Sequence, residues 1–395
     1  MKKCLKLVMI SVFVLMPLRL DATEGDFLSP DPNIGLEVTA DKTTAAVNEK
    51  IKVNYNLYTR YDTRYEGFET IPSLRGFSVE ETAITGNGPR ATVRLNGKRY
   101  IKMCVKEVFI SPIYGGDLVI DPGVMRVSIA EGPKTKASPG LRSHQRKTVL
   151  LESKPMTIHV ENPAGKSKTD LLTEYYNSQG AKTPSLGIKI DKPAVIFVLD
   201  ISGTMMAEDM QHQNRLASAK AAISKFLQAN TAMMVGLECF AQDVKMISPL
   251  TQNKSEVIKA LEGVQPGLFK DGTSIGDAVF EATKELSGYT GKKKAIILIT
   301  DGISNGGRLY PFTAVDFAIN DHVVVHTIAL GTQGLVPFPV DDPKLGKRIV
   351  MTEVGTDEPT LAGMAKETGG RSGTAKSGAE LEGLLNEIQK TLAGS

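Results

Sequence analysis

Cysteine and histidine are both scarce: the 395-residue chain has three of the first and five of the second. Cys4 belongs to the first segment, which leaves Cys104 and Cys239. Cys239 sits in the apolar run VGLECF and Cys104 in an alternating strand of a different region, so a bridge would demand one particular packing of the two. Two buried free thiols are expected instead, with no disulfide framework. None of His144, His159, His212, His322 and His326 has a ligand-like spacing with Cys or Glu, which argues against zinc chemistry. His326 reads as strand filler and the other four as exposed. After the first twenty residues no apolar run approaches membrane length. Charge of one sign is lacking too. The formal +3 divides into +3 over residues 1–23, +4 over 24–192 and −4 over 193–395, so a chain without its first segment is near neutral and nothing points to nucleic acid.

What is present begins with Lys2, Lys3 and Lys6 ahead of an apolar stretch at 7–18 and small or polar residues around Asp21-Ala22-Thr23. The stretch is too short to span a bilayer comfortably, and residues 1–22 are expected to be a secretory signal cleaved after Ala22. The protein would then be exported and periplasmic, soluble after cleavage, or held by the uncleaved segment; a buried N-terminal helix is the alternative. Cys4 precedes the apolar run, where a lipid-attachment cysteine would follow it, so no lipid is expected.

Residues 31–160 show period two. Ile51, Val53, Tyr55 and Leu57 alternate with polar neighbours, Leu95-Asn96-Gly97-Lys98 is a two-residue hairpin signal, and Asp121-Pro122-Gly123 marks a turn. Short strands with frequent turns predict an all-β, immunoglobulin-like sandwich, with a solvated basic loop at 133–147. Residues 161–192 break the pattern and read as a linker with a short helical piece near 171–176. Its Asn162-Pro163-Ala164-Gly165-Lys166-Ser167 superficially resembles a phosphate-binding loop, but Val160 stands where the first glycine belongs and no helix is expected to follow.

From 193 to 395 strands and helices alternate, which predicts an α/β fold, a doubly wound and mostly parallel sheet. One helix carries Leu216, Ala219, Ile223, Phe226 and Leu227 on a face, another Ile275, Ala278, Val279, Ala282 and Leu286, and a last one opens on Ser377 and Glu380 as a capping box. Residues 194–199 form an unbroken apolar run ending in Asp200, Ser202 and Thr204. Ligand sites of such sheets gather at the carboxyl ends of the strands, so two further stretches matter: Asp271-Gly272-Thr273-Ser274, which opens a helix, and Thr300-Asp301-Gly302, which closes the apolar run 295–299. Three loops could meet there with carboxylates and hydroxyls but no thiolate or imidazole, a set suited to a hard cation such as Mg2+ or Mn2+. The bland alternative is that Ser202, Thr204 and Thr273 cap a turn and a helix start. Asp209, Asp277 and Asn305 are either supporting groups or cap and turn residues. Residues 331–354 exceed the usual connection length and suggest a hairpin beside the site, or a tolerated insertion.

DISGT, Thr273 and TDG resemble, in order, the metal-ion-dependent adhesion site of von Willebrand factor A-type domains. Together with AEDM, NRLASAK, VGLECF, PLT, DGTSIGDA and ILITDGISNGG they look most similar to the Bat (bacterial aerotolerance) proteins. Residues 31–160 weakly resemble the N-terminal domain of BatD through LEVTADKTTAAVNEKIKVNYNL, LNGKRY and SKPMTIHVENP. The resemblance implies Asp200, Ser202, Thr204, Thr273 and Asp301 as metal residues, the hydroxyls binding directly and the carboxylates nearby or through water. It implies a non-enzymatic module for protein-protein interaction that binds a partner's Asp or Glu carboxylate through the ion. It also implies other Bat proteins as partners, a MoxR-type ATPase only indirectly, membrane association only through partners, and a role in oxidative-stress tolerance. Thr204 departs from the motif's usual Ser by a methyl group that restricts χ1. Two other functions compete. One is a metal-independent envelope scaffold. The other is a haloacid-dehalogenase-like phosphotransferase, against which Ser202 replaces the second Asp, the proton donor.

Overall fold

The computed structural model describes residues 27, 29–85, 88–130, 146–180, 192–211, 213–230, 232–289, 293–342 and 345–393. The expected signal segment, His144, His212 and most of the 133–147 loop therefore lie outside the described residues. The strand-rich region comes first: β1 (Ile34–Ala40), β2 (Thr44–Ala46), β3 (Ile51–Thr59), β4 (Thr63–Thr70), β5 (Phe77–Thr85), β6 (Arg90–Leu95), β7 (Lys98–Pro112), β8 (Gly116–Ile120), β9 (Val124–Ala130), β10 (Arg146–Glu152) and β11 (Met156–Glu161). A five-stranded sheet, ordered β1-β3-β7-β5 with β6 also on β7, makes one layer. Ile51, Val53, Tyr55 and Leu57 turn into the core because successive strand side chains point to opposite faces. Asn96 and Gly97 take φ of 48° and 74°, the left-handed pair that a tight hairpin between β6 and β7 requires. The remaining strands form two three-stranded sheets, β10-β9-β4 and β2-β11-β8. The chain passes from one to the other, β8 to β9, through Asp121-Pro122-Gly123, where Pro122 has no amide to donate to a ladder. Cys104 and Cys239 are both free, but Cys104 is only half-buried because β7 turns it toward Asn54 and the Lys106 carbonyl; the expected burial holds for Cys239 alone.

A helix does follow the stretch that resembles a phosphate-binding loop, contrary to expectation. Ser167 and Asp170 form a capping box that starts α1 (Lys168–Ser178) directly after it. The helix buries Leu171, Leu172 and Tyr176. Tyr176 stacks on Phe280 at 4.9 Å, and both Tyr175 and Tyr176 meet Phe317 edge-on or tilted, so the segment is fastened to the C-terminal region.

The second region runs β12 (Ala194–Asp200), a 3-10 turn (Gly203–Met206), α2 (Arg215–Ala229), β13 (Met234–Phe240), β14 (Val244–Thr251), α3 (Lys254–Glu262), α4 (Ile275–Ser287), β15 (Lys294–Thr300), α5 (Pro311–Asn320), β16 (Val323–Leu330), β17 (Gly334–Asp342), β18 (Gly346–Val354), α6 (Glu358–Thr368), β19 (Ser372–Ala375) and α7 (Gly378–Ala393). The sheet order is β14-β13-β12-β15-β16-β19, parallel except for β14 at one edge. Every residue of β12 is buried, as its unbroken apolar run requires for a strand covered on both faces. Val195, Phe197 and Leu199 pack toward α2, α3 and α7, and Ile196 and Val198 toward the α4, α5 and α6 side. Chain order reverses between β12 and β15, so the crevice for a ligand lies at their carboxyl ends. His326 is buried in β16, its imidazole pushed down to about 4 by burial, and accepts the Arg371 amide; it is a neutral core residue. No helix among the described residues is long and apolar enough to cross a membrane.

The two regions share one continuous apolar cluster, and a polar hub closes it. Asp316 of α5 accepts from Arg75 at 2.9 and 3.3 Å, from the Tyr114 hydroxyl at 2.5 Å and from Lys168 at 3.0 Å. Nearby, the Thr313 hydroxyl accepts the Gly76 amide, and the Val79 amide donates to the Arg308 carbonyl. Burial alone would raise the Asp316 carboxyl, but its Arg75, Tyr114 and Lys168 partners outweigh it and hold it below the ordinary 3.8. A depressed folded-state value stabilises the fold above the ordinary carboxylate range, and that contribution is lost as pH falls through the lowered value. Asp316→Asn should therefore cost about 3 kcal/mol at neutral pH and less at pH 3, below the ordinary carboxylate value, as read by urea unfolding at both pH values. An equal loss at the two would show that the carboxylate charge is not what couples the regions.

Candidate metal site

Two loops leave the carboxyl ends of β12 and β15, a third joins α3 to α4 and crosses the end of β13, and all three are tied to one another by named bonds. Asp200 ends β12 with no exposed surface; its Oδ1 accepts the Ser202 amide at 2.8 Å and its Oδ2 the Thr300 hydroxyl at 2.6 Å. Thr204 Oγ1 lies 3.1 Å from Ser202 Oγ and donates to Asp301 Oδ1 at 2.8 Å. Asp271 Oδ1 accepts the Gly203 amide, and Asn305 Oδ1 the Thr273 amide. A Cβ on Gly302 would come 3.1 Å from Thr273 Oγ1, so glycine lets the third loop close over that hydroxyl. Ser202, Thr204 and Asp301 therefore stand in one hydrogen-bonded row, Asp200 beneath it, and Thr273 beside Gly302.

The added methyl of Thr204 does not turn its oxygen away, since Oγ1 reaches both Ser202 and Asp301. An octahedron with oxygen ligands at about 2.1 Å places neighbouring oxygens about 3 Å apart, the spacing seen along this row. Among the described residues no three His, Cys, Asp or Glu side chains converge as a metal-holding group, so any cation here must rely on hydroxyls. The donor set fits a hard cation on those terms.

The electrostatics contain a feature the sequence pattern does not announce. Arg215, with no exposed surface, donates through one guanidinium nitrogen to Asp301 Oδ2 at 2.7 Å and through two others to Asp209 at 2.7 and 2.8 Å. Burial works against its charge, and the two carboxylates outweigh it. Burial raises Asp301, with Arg215 opposing; burial and then the Asp301 charge push Asp200 up to about 7, with Thr300 and Ser202 opposing. Asp209 is drawn down to about 2, Arg215 outweighing its burial, and also accepts the Thr332 amide and hydroxyl. Of the three supporting candidates Asp209 thus acts on the site through Arg215. Asn305 holds a loop, and Asp277 accepts the Arg308 and Leu309 amides as a turn residue. Arg215 was not singled out from the sequence; Thr300 and Asp271 stood in the two marked stretches but not among the expected metal residues. Arg215 carried a usable signal: it lies four residues before Ala219, on the apolar stripe of α2, where an unpaired charge cannot stay. The hairpin β17-β18 forms beside these loops, Val336 and Val354 packing on Ala207 while the Glu208 amide donates to the Pro337 carbonyl.

Arg215→Met should destabilise the fold by about 3–5 kcal/mol, because it strands the Asp301 and Asp209 charges in the interior. Adding Asp301→Asn to that variant should recover part of the loss. Denaturant unfolding of the four proteins measures this, and additive effects would contradict the coupling.

Residues 195–304 match the family model for the von Willebrand factor type A domain. A UPF0353 protein of Mycolicibacterium paratuberculosis is 29% identical over 225 residues, 53% of this chain and 64% of that one. An uncharacterized protein of Borreliella burgdorferi is 26% identical over 35% of this chain and 40% of its own length. The chain thus spans less than two thirds of these curated relatives. Among solved structures, an aerotolerance-related membrane protein from Bacteroides fragilis is 27% identical at a TM-score of 0.45, covering 50% of this chain and 99% of that one. The conserved hypothetical protein BatB from Bacteroides thetaiotaomicron is 28% identical at 0.44, covering 51% and 100%. The doubly wound sheet, the loops at its switch point and the family match agree: the C-terminal half of this chain carries a von Willebrand factor type A domain.

Proposed function

We propose that this chain is a non-enzymatic, divalent-metal-dependent module for protein recognition in the cell envelope, which takes up an Asp or Glu carboxylate of a partner protein on Mg2+ or Mn2+. The observation that carries the reading is the row of Ser202 Oγ, Thr204 Oγ1 and Asp301 Oδ1, spaced 3.1 and 2.8 Å over the switch point. Asp200, Ser202, Thr204, Thr273 and Asp301 would hold the ion, hydroxyls in contact and carboxylates nearby or through water. An ion held mainly by neutral oxygens supplies a positive centre that attracts an external carboxylate. The chain's own residues set the stage for it: the Ser202 amide and Thr300 fix the Asp200 carboxylate, Arg215 orients Asp301, and Asn305 and Gly302 keep Thr273 at the loop junction. Phosphoryl transfer is disfavoured because Ser202, at the position of the proton donor, offers a hydroxyl with no acid function at neutral pH.

The wider assignment belongs to the same proposal. Residues 1–22 are a signal, 31–160 a BatD-like sandwich, 161–192 a connection and 193–395 the A-type domain; the product is exported to the periplasm and works with other Bat proteins, reaching a MoxR-type ATPase only through a membrane partner. A metal-independent scaffold is the second reading, and Arg215 favours it, since its guanidinium already neutralises Asp301 at 2.7 Å.

Calorimetric titration of Mg2+ and of Mn2+ into the full chain separates the two. The proposal expects saturable binding, weakened at least tenfold by Ser202→Ala or Thr273→Ala and kept in Thr204→Ser. No binding by native protein and by Thr204→Ser alike, with saturating acetate present to stand in for the partner carboxylate, would leave the scaffold reading.

A further inference from the structure

A cavity lies on the other side of the β13-β14 turn from the candidate metal-site loops. It measures about 380 Å3, between α4 and the edge of the sheet, and is lined by Glu238 of β13, Val244 and Met246 of β14, and a row of charged groups on α4. Glu238 is 1% exposed, and neither carboxylate oxygen has a hydrogen-bond partner. A carboxylate in an all-buried central strand is costly unless something pairs with it. Among the described residues no neighbouring cation does. Lys284 is taken by Glu281 at 3.1 Å, and Arg308 donates to Gln179 at 2.6 Å and faces Asp277 and Glu281 at 3.8 and 3.9 Å.

The charge around Glu238 is uncompensated. Asp243 in the turn and Asp277, Glu281 and Glu285 on α4 line the same cavity, so five carboxyl groups face two cations. Burial first, then Glu281 and Glu285, raise the Glu238 carboxyl well above its ordinary 4.5, a cost that a cation brought beside it would relieve. Metal chelation is not the fit, because among the described residues no three acidic side chains converge as a metal-holding group. A guanidinium is more weakly hydrated than an ammonium, forks onto one carboxylate through two parallel bonds, and brings an aliphatic stem suited to Val244 and Met246.

We propose that this pocket receives an arginine side chain of a partner protein, with Glu238 as the buried carboxylate that pairs with its guanidinium. The site stands without the metal reading, so it is tested in EDTA. Nα-acetyl-arginine amide is titrated into the full chain and followed by amide chemical shifts of β13, β14 and α4. Saturation in the millimolar range is expected for native protein and for Glu387→Gln, a change on the distant face of α7. Binding should weaken at least tenfold in Glu238→Gln, which keeps the shape of the side chain, and in the parallel titration with Nα-acetyl-citrulline amide, which keeps the shape of the ligand. Absence of saturation by native protein into tens of millimolar, equal binding by Glu238→Gln, or equal binding of the citrulline compound overturns the proposal. Failure of Mg2+ or Mn2+ to bind has no bearing on it.

Discussion

A guanidinium sealed from water between two carboxylates organises the carboxyl edge of the central sheet. Arg215 reaches from the first turn of α2 to Asp301 at the end of β15 and Asp209 after the 3-10 turn, and it also donates to the Thr332 carbonyl beyond β16. Its demands spread outward. A Cβ on Gly331 would fall 2.2 Å from Arg215 Nε, and the residue sits at φ +83°, so glycine is required there for space and for backbone alike. Asp301, pinned on one oxygen by Arg215, is left with the other for Thr204. Rotating either loop would expose or unpair a buried charge, which costs more than any single contact at the site. The geometry of the candidate metal residues is thus inherited from an ion pair behind them.

A comparable economy governs the packing of the strand-rich region against the A-type domain. The strand-rich region and α1 cover α4 and α5, with Asp316 at the centre of the contact and the aromatic group of Tyr175, Tyr176, Phe280 and Phe317 around it. That arrangement leaves Thr204 exposed at the switch point. It also leaves open the groove between α4 and β14, and the turn between β13 and β14 walls both places: the Gln242 side chain packs against Gly272 and Gly306 of the metal-site loops, while Gln242 also lines the Glu238 cavity. A partner segment lying across this turn would meet an anion-seeking centre on one side and a cation-seeking carboxylate on the other, which is a means of specificity more than of raw affinity.

Much of this was legible in the residues, for identifiable reasons. Period two in residues 31–160 and the apolar stripes of α2, α4 and α7 report burial directly, and Leu95-Asn96-Gly97-Lys98 reports its turn through backbone conformations few residues accept. DISGT and TDG could be gathered because parallel strands deliver their ends to one edge; Thr273, in the loop between α3 and α4, was gathered by the resemblance. Other features were silent. The edge strand β14 reads VKMISPLT, with a Pro and half-exposed residues, and offers no clean run. The helix α1 looked like a fragment because its stability comes from Phe280 and Phe317, more than a hundred residues away in sequence. Arg215, Glu238 and Asp316 are charges within apolar patterns. Pattern alone marks them as anomalies; only the fold says that the first and last are paired and the second is not.

Arg215 also bears on how a metal and a partner would depend on each other. Its charge beside Asp301 Oδ2 draws negative potential from the Oδ1 that faces Thr204, so a divalent ion would find its strongest acidic neighbour partly spent. Asp200, the other, is pushed up to about 7 by burial and by Asp301, and charging it again costs free energy. On the proposed reading, the ion alone would be held less tightly than by two free carboxylates. The same deficit makes it a better acceptor for an external carboxylate, whose charge offsets Arg215 and the ion together. Binding free energies at two ligands that share one charge deficit are reciprocal: whatever the partner adds to metal affinity, the metal adds to partner affinity. On that reading, a buried arginine behind the site would exchange resident metal for conditional metal, which suits a contact that should form only when both are present.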